Sequence, residues 1–424
     1  MSPTIFVSAG EASGEHYGAL LIDALKRQLA AVGREAAFFG MGGERMVGAG
    51  LERVVRSEDM AVMGITEVIR HLPRIYREFR RLKQAIRARR PDVAVLIDFP
   101  DIHFKLAEEF HRLGVPVVFF VSPQLWAWKK HRIQLVQKYV TRMLVIFPFE
   151  EPFYRERGVQ AEFVGHPLAE LPLPTVGRAD FASANGLDQT KRWIGLLPGS
   201  RAKEIRDNLP EMIDAARLLS RACTIDQANP GLQFIVPLAP TLTAAQRGAV
   251  AAMVERLQEK LTIRLVDDVG AEDGDGVGGA RAALFHARAS IVASGTATVE
   301  AALIGNPFVV VYRVSALTYA IAKQVVTVPH IAMANLIAGK RVVPELIQND
   351  FTAAKIVEHL KPLLPDGEPR ESMMKELRAI GGLLRRAVSP KRDNEMGAID
   401  RVAAVTLDVL NAAHSTASPP FVQS

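Results

Sequence analysis

Cysteine is almost missing: the 424 residues contain one, Cys223. An internal disulfide is therefore excluded, and the count suits a reducing compartment. No unbroken apolar run approaches the ~20 residues that cross a bilayer, so no spanning helix is expected. The opening MSPTIFVSAGEASG has no basic stretch leading into a long apolar one, so no secretory signal is expected either. A Walker A loop is absent, and no Cys/His cluster has metal-ligand spacing, so neither metal nor cofactor is predicted. Asp273 and Asp275 hint at a calcium loop but lack the remaining ligands; Val269–Ala280 reads as an Asp/Gly-rich surface insertion. Strong charge of one sign is lacking too. The net charge is +6, from 52 basic and 46 acidic residues, too mild to predict a nucleic-acid partner. With 49% hydrophobic and 23% charged residues the chain is globular, and its length predicts two or three domains.

The most informative stretch present is SIVASGTATVEAALIGNP, residues 290–307. Apolar Ile291 and Val292 end a strand, a small-residue turn follows, and a helical run closes at Gly305 and Pro307. Strand, tight turn and helix place backbone N–H groups and the positive end of a helix dipole at one point, suited to phosphate. Gly295, Thr296, Ala297 and Thr298 form that turn. Glu300, one turn on, would accept hydrogen bonds from ribose hydroxyls. The plain alternative is an ordinary strand-to-helix turn.

A second such unit opens the chain: strand Thr4–Ser8, a turn through Gly10 and Glu11, and a helix from about Tyr17 to Ala30. Glu11 and Glu15 would repel phosphate there, so Ser13, Gly14, Glu15 and His16 are read as binding hydroxyls on an acceptor side. Strand Val93–Ile97 ends in Asp98-Phe99-Pro100-Asp101. Ligands of doubly wound domains sit at the carboxyl ends of strands, and a carboxylate backed by apolar neighbours there suits a general base. Asp101 directly precedes a helix and fits an N-cap; Asp98 is the candidate for chemistry. After strand Val115–Val121 comes PQLWAWKKHR, in which Trp126 reads as a rim for an anionic, partly apolar substrate. His166 reads as a junction residue before the proline-rich connector Leu171–Gly177.

Asp59–Arg90 is the most unusual segment by composition. Apolar residues at helical spacing bury one face, and nine basic residues from Arg70 to Arg90 line the other. Its leading edge is crowded with Val62, Met63, Ile65, Val68, Ile69 and Leu72, a patch suited to an anionic membrane surface. From Ile75 onward, packing on the sheet with merely solvated arginines is the preferred reading. Pro73 predicts two helical pieces rather than one.

The second half repeats the pattern. Strand Trp193–Leu197 runs into Pro198-Gly199-Ser200-Arg201, where Arg201 would give a forked pair of hydrogen bonds to a diphosphate. Two runs of alternating strands and helices predict an α/β fold of two facing doubly wound domains. Their expected bounds are 1–170 and 178–350, followed by helices at 351–412 and a frayed tail at 413–424. Phosphate-friendly turns lie in the second half and the candidate base in the first, so metal-free group transfer from a nucleotide donor to an acceptor is the reading.

SAGEASGEHYGA, AVMGITEV, IDFPD, PQLWAWKKHRI, FVGHPL, LLPGSRAKEI, ASGTATVEAAL and NLIAG, in this order over residues 5–340, resemble the lipid-A-disaccharide synthase family. The resemblance implies a glycosyltransferase B-type fold. It also implies inverting transfer of 2,3-diacylglucosamine from its UDP conjugate to 2,3-diacylglucosamine 1-phosphate, giving a β-1,6 disaccharide and UDP. Asp98 stands where that family's base is proposed, and Arg201, Thr296, Glu300 and Asn335 match its UDP-binding motifs. Further implications are a homodimer, helices from 352 to 412 that pack back on the first domain or cross to the partner, and peripheral attachment to the cytoplasmic face of the inner membrane. One departure is Ala334-Asn335, where the family usually has Pro-Asn; the 269–280 insertion is another. The alternatives are a UDP-sugar 2-epimerase, a glycosyltransferase for another lipid acceptor, and a non-catalytic membrane-surface protein.

Overall fold

Near-continuous apolar strands need cover on both faces, and the chain supplies it with helices on either side of two parallel sheets. The computed structural model describes residues 2–60, 65–224, 231–267, 279–314, 319, 328–385 and 396–417. They form two compact units: Met1–Glu170 with Leu384–Ser424, and Leu171–Leu383.

In the first unit β1 (Thr4–Ala9), β2 (Ala37–Gly42), β3 (Leu51–Arg56), β4 (Val93–Ile97), β5 (Val117–Phe120), β6 (Arg142–Val145) and β7 (Ala161–Phe163) pair in the order β3-β2-β1-β4-β5-β6-β7. Alternation along the strands builds a core on each side. Ile5, Val7, Val93, Val95 and Ile97 face one way, onto Leu21 and Leu25 of α1 (Ala12–Ala30) and Val402 and Leu410 of the last helix, α15 (Ala398–Ala417). Phe6, Ala94 and Leu96 face the other, onto Leu82 and Ile86 of α3 (Ile65–Arg89) and Phe104, Leu106 and Phe110 of α4 (Pro100–Arg112). Each such aliphatic or aromatic side chain contributes roughly 1.5–3 kcal/mol on burial.

In the second unit β8 (Arg192–Leu197), β9 (Leu232–Pro237), β10 (Ile263–Val266), β11 (Ala289–Ala293), β12 (Phe308–Tyr312) and β13 (Glu345–Ile347) pair in the order β10-β9-β8-β11-β12-β13. Here α8 (Ala202–Thr224) supplies Leu209, Met212 and Ile213 to the core, and α13 (Ala353–Leu360) supplies Ile356 and Leu360.

Several expectations change. Helix α1 starts at Ala12, not near Tyr17, so the expected turn residues Ser13–His16 form its first turn. Helix α3 is continuous through Pro73, since a proline removes one hydrogen bond while the flanking turns stay intact. Its basic residues are not merely solvated: Arg74 pairs with Asp59, Arg77 and Arg81 with Glu78, Lys83 and Arg87 with Glu109, and Arg89 with Glu52. The segment 351–412 is shared out, because α13 covers the second sheet while α15 packs on α1, tied by Arg27–Asp400 at 2.9 Å. Helix α15 also continues to Ala417, past the expected start of the tail. Val62 and Met63, the side chains of Ile65, Val68 and Ile69, and residues 269–278 of the insertion lie outside the described residues. No helix among the described residues is long and apolar enough to cross a membrane.

Candidate active site

Each sheet has one place where the chain order reverses: between β1 and β4 in the first, and between β8 and β11 in the second. The loops that leave these paired strands diverge to opposite sides, which opens a crevice at the strands' carboxyl ends. Asp98 and the Gly10–Glu11 turn share the first such point; Gly199–Arg201 and Gly295–Thr298 share the second.

Asp98 follows β4 directly and donates its backbone N–H to the Phe120 carbonyl at 2.9 Å, continuing the ladder to β5. Both Asp98 and Phe99 have φ of 52°, a left-handed conformation that ordinary residues rarely adopt. The Phe99 ring lies over Gly10, where any Cβ would overlap it. Burial, reinforced by the nearby Glu11 carboxylate, pushes the Asp98 carboxyl up to about 6, against a hydrogen bond from the Phe99 N–H. Behind it, His103 is wholly buried; its Nδ1 lies 2.5 Å from the Asp98 carbonyl oxygen and its Nε2 2.8 Å from Ser8 Oγ. A carbonyl only accepts, so Nδ1 carries the hydrogen, and the Ser8 hydroxyl donates to Nε2. Burial lowers the ring to about 4, keeping it neutral. By contrast Asp101 pairs with Arg132 at 2.6 Å on the surface.

The acceptor-side candidates separate. Ser13 is exposed, and Gly14 is a packing residue. The Glu15 carboxylate accepts the Arg45 N–H at 3.0 Å, at the start of α2 (Glu44–Gly48), and Gly43 leaves room for it. Burial, then the charge of Arg45, holds His16 below its ordinary value. Trp126 is buried, not a rim: its Nε1 donates to Glu150 at 3.0 Å, and its ring meets Phe149 edge-on. Trp128 is the exposed tryptophan, with the Lys129 ammonium 4.0 Å from its ring centre. Glu150 is fully buried and also accepts from Ser122 Oγ at 2.7 Å and the Phe147 N–H at 3.1 Å. Burial pushes it up to about 7 against those donors. His166 is buried and neutral, its Nδ1 accepting the Leu168 N–H, which suits a junction residue.

At the second reversal the arrangement is more specific than expected. The Glu204 carboxylate accepts from the backbone N–H groups of Ser200 (3.0 Å) and Arg201 (3.3 Å) and pairs with the Arg201 guanidinium at 3.1 Å. Gly199, at φ of 121°, has no side chain to collide with it. Thr296 is exposed in the first turn of α11 (Thr296–Ile304), where helical N–H groups lack intrahelical acceptors. Thr298 is buried, and its hydroxyl hydrogen goes to the Gly295 carbonyl at 2.7 Å. Glu300 is half-buried and acts electrostatically on Arg281 of α10 (Gly279–His286).

Asn335 is wholly buried in α12 (Met333–Ala338). Its amide donates to the Val343 carbonyl and Glu345, and its oxygen accepts from the Val342 and Val343 N–H groups. It pins the following loop rather than facing a ligand. Ala334 lies at the second position of that helix, where proline is tolerated but not required.

His103, Ser8, Glu150 and Glu204 were not among the candidates from sequence. Glu204 had a signal, an acid at the third position of a helix. The others had none, because strand pairing brings them to their partners. Among the described residues, no group of three His, Cys, Asp or Glu side chains is placed to hold a metal ion.

Two parallel-sheet α/β units with polar loops at both reversals are the layout of B-type glycosyltransferases and their epimerase kin. Solved structures over the whole chain agree in fold. A putative UDP-N-acetylglucosamine 2-epimerase from Listeria monocytogenes superposes with TM-score 0.57 at 13% identity, covering 99% of both chains. The calicheamicin glycosyltransferase CalG4 gives TM-score 0.54 at 17% identity, covering 99% of this chain and 100% of its own. The model of the family described as lipid-A-disaccharide synthetase matches residues 5–396. Lipid-A-disaccharide synthase of Acidobacterium capsulatum is 62% identical over 89% of this chain and 91% of its own. That of Koribacter versatilis is 48% identical over 96% and 98%. The chain belongs to the lipid-A-disaccharide synthase family, and it is a glycosyltransferase.

Proposed function

We propose that the chain transfers 2,3-diacylglucosamine from its UDP conjugate to 2,3-diacylglucosamine 1-phosphate, with Asp98 as general base. The observation that carries this is the Asp98 carboxyl at the β1/β4 reversal, raised to about 6 yet ionised at neutral pH. It takes the proton from the acceptor's 6-hydroxyl as that oxygen bonds to the donor's anomeric carbon. The bond from that carbon to the diphosphate oxygen breaks on the opposite face, its electron pair leaving with UDP, so configuration inverts. Arg201 and the N–H groups at Gly295, Thr296 and Ala297 stabilise the charge growing on the diphosphate, and Glu300 holds the ribose.

Acylated substrates require the enzyme to work at a lipid surface. The exposed Leu72 and Tyr76 on α3, beside exposed Arg77 and Arg80, suit anionic headgroups of the inner membrane's cytoplasmic face. A homodimer belongs to the same reading. The epimerase alternative rests on fold likeness alone, whereas the family relationship favours disaccharide synthesis.

Purified wild-type and Asp98→Ala protein, given both substrates, test the reading, with disaccharide and UDP followed together and UDP affinity measured separately. Wild type should form disaccharide, and Asp98→Ala should bind UDP normally and form less than about a hundredth as much. Interconversion of a UDP-sugar without disaccharide would overturn it.

A further inference from the structure

Asp98 and Phe99 hold two successive left-handed conformations in residues with full side chains. Such a pair persists only where its surroundings over-determine it. The ladder bond from the Asp98 N–H to Phe120 fixes the entry to the turn. The exit is the start of α4, where the Phe99 carbonyl accepts the His103 N–H at 3.1 Å. Between them lies the Asp98 carbonyl, whose partner is the His103 ring in the first turn of α4.

That ring is itself fixed. Ser8 on β1 is wholly buried, and its hydroxyl holds Nε2, leaving Nδ1–H for the Asp98 carbonyl. The edges of the ring meet Phe99 and Phe119 at near-perpendicular angles, with centroids 5.7 Å and 6.0 Å away. A neutral imidazole of one tautomer thus ties β1, the end of β4 and the first turn of α4 together at the residue that carries the candidate base. A hydrophobic residue of similar size would fill the space without holding the carbonyl.

We propose that His103 is a positioning residue for Asp98: oriented by Ser8, it holds the Asp98 carbonyl and so sets the backbone conformation from which the carboxylate reaches the acceptor hydroxyl. This rests on the assignment of Asp98 as general base.

The test compares His103→Asn, His103→Gln, His103→Phe and Asp98→Ala, with kcat, KM for each substrate, UDP affinity and melting temperature measured for each. The Asn amide reaches the position of Nδ1, whereas the longer Gln amide reaches that of Nε2. Misplacing a reacting group by about 1 Å costs as much as ~100-fold in rate. His103→Phe and His103→Gln should therefore lose about 10–100-fold in kcat with KM for the donor and UDP affinity unchanged, and His103→Asn should recover most of that loss. A histidine that only supports the core would show Asn and Gln equally impaired, with activity following melting temperature; that result overturns the proposal. Ser8→Ala keeps it testable if the ring substitutions do not fold: a several-fold fall in kcat is expected, and wild-type kcat would overturn it. If Asp98→Ala itself keeps wild-type kcat, the assignment of the base falls and the positioning role falls with it. If Asp98→Ala is inactive while His103→Phe is fully active, only the positioning role falls.

Discussion

Arg201 and Glu204 stand one helical turn apart with guanidinium and carboxylate 3.1 Å from each other, and the same carboxylate accepts the Ser200 and Arg201 backbone N–H groups. Glu204 therefore occupies the donors that an anionic ligand would use at the start of α8. A helix N-terminus welcomes negative charge from either source.

A diphosphate bound there competes with Glu204. Glu204→Ala frees two N–H groups and removes a like charge, each effect worth some tenths of a kcal/mol at an exposed helix end. UDP affinity, measured by titration calorimetry, should rise several-fold, and Arg201→Ala should lower it. Weaker UDP binding in Glu204→Ala would mean that the carboxylate builds the turn rather than fills the ligand's place.

Asp98 makes a second prediction, about stability. Its carboxyl sits at about 6 in the fold against 3.8 in the reference state, so the folded chain takes up this proton more readily than the unfolded one. Ionised Asp98 consequently opposes folding: the penalty grows as pH rises from about 4 to 6 and is complete above 6, at about 1–3 kcal/mol. Asp98→Asn keeps the acceptor for the Phe99 N–H and removes the charge. Denaturant unfolding at pH 8 should find the variant more stable than wild type, and the two should converge near pH 4. A variant less stable at pH 8 would contradict burial as the dominant cause. Wild-type kcat should fall below about pH 6 as the base is protonated.

Much of this layout was legible because it is local. Strand, glycine turn and helix are contiguous at Gly10, Gly199 and Gly295, and Asp98 ends an apolar strand, so pattern alone put these residues at the carboxyl ends of strands. That the chain order reverses there follows from the strand pairing, which sequence does not show. What stayed hidden depends on partners distant in sequence or on which way a polar side chain turns. Asn335 could equally have faced a ligand; burial sends all its hydrogen bonds to its own chain. Trp126 and Trp128 are alike in composition, and only the buried Glu150 decides which indole is enclosed. Pro73 predicts a break because sequence shows the lost hydrogen bond but not the ion pairs and core contacts that hold α3 together around it.

The Phe99 ring covers Gly10 so closely that a single methyl group there would overlap several ring carbons. The ring cannot retreat freely, since it also meets His103 edge-on and its own backbone is left-handed. Gly10→Ala should therefore destabilise the fold by about 1–3 kcal/mol, as overpacking does, and should lower kcat by shifting the turn that carries Asp98. The cause is steric, so it should vanish when the ring is shortened. In a Phe99→Ala background the added cost of Gly10→Ala should fall to a few tenths of a kcal/mol, the remainder appearing as coupling between the two sites. Denaturant unfolding of the four proteins of this cycle measures it. Additive effects would mean that Gly10 is required for its backbone or for the approach of substrate, and that Phe99 is not what excludes a side chain.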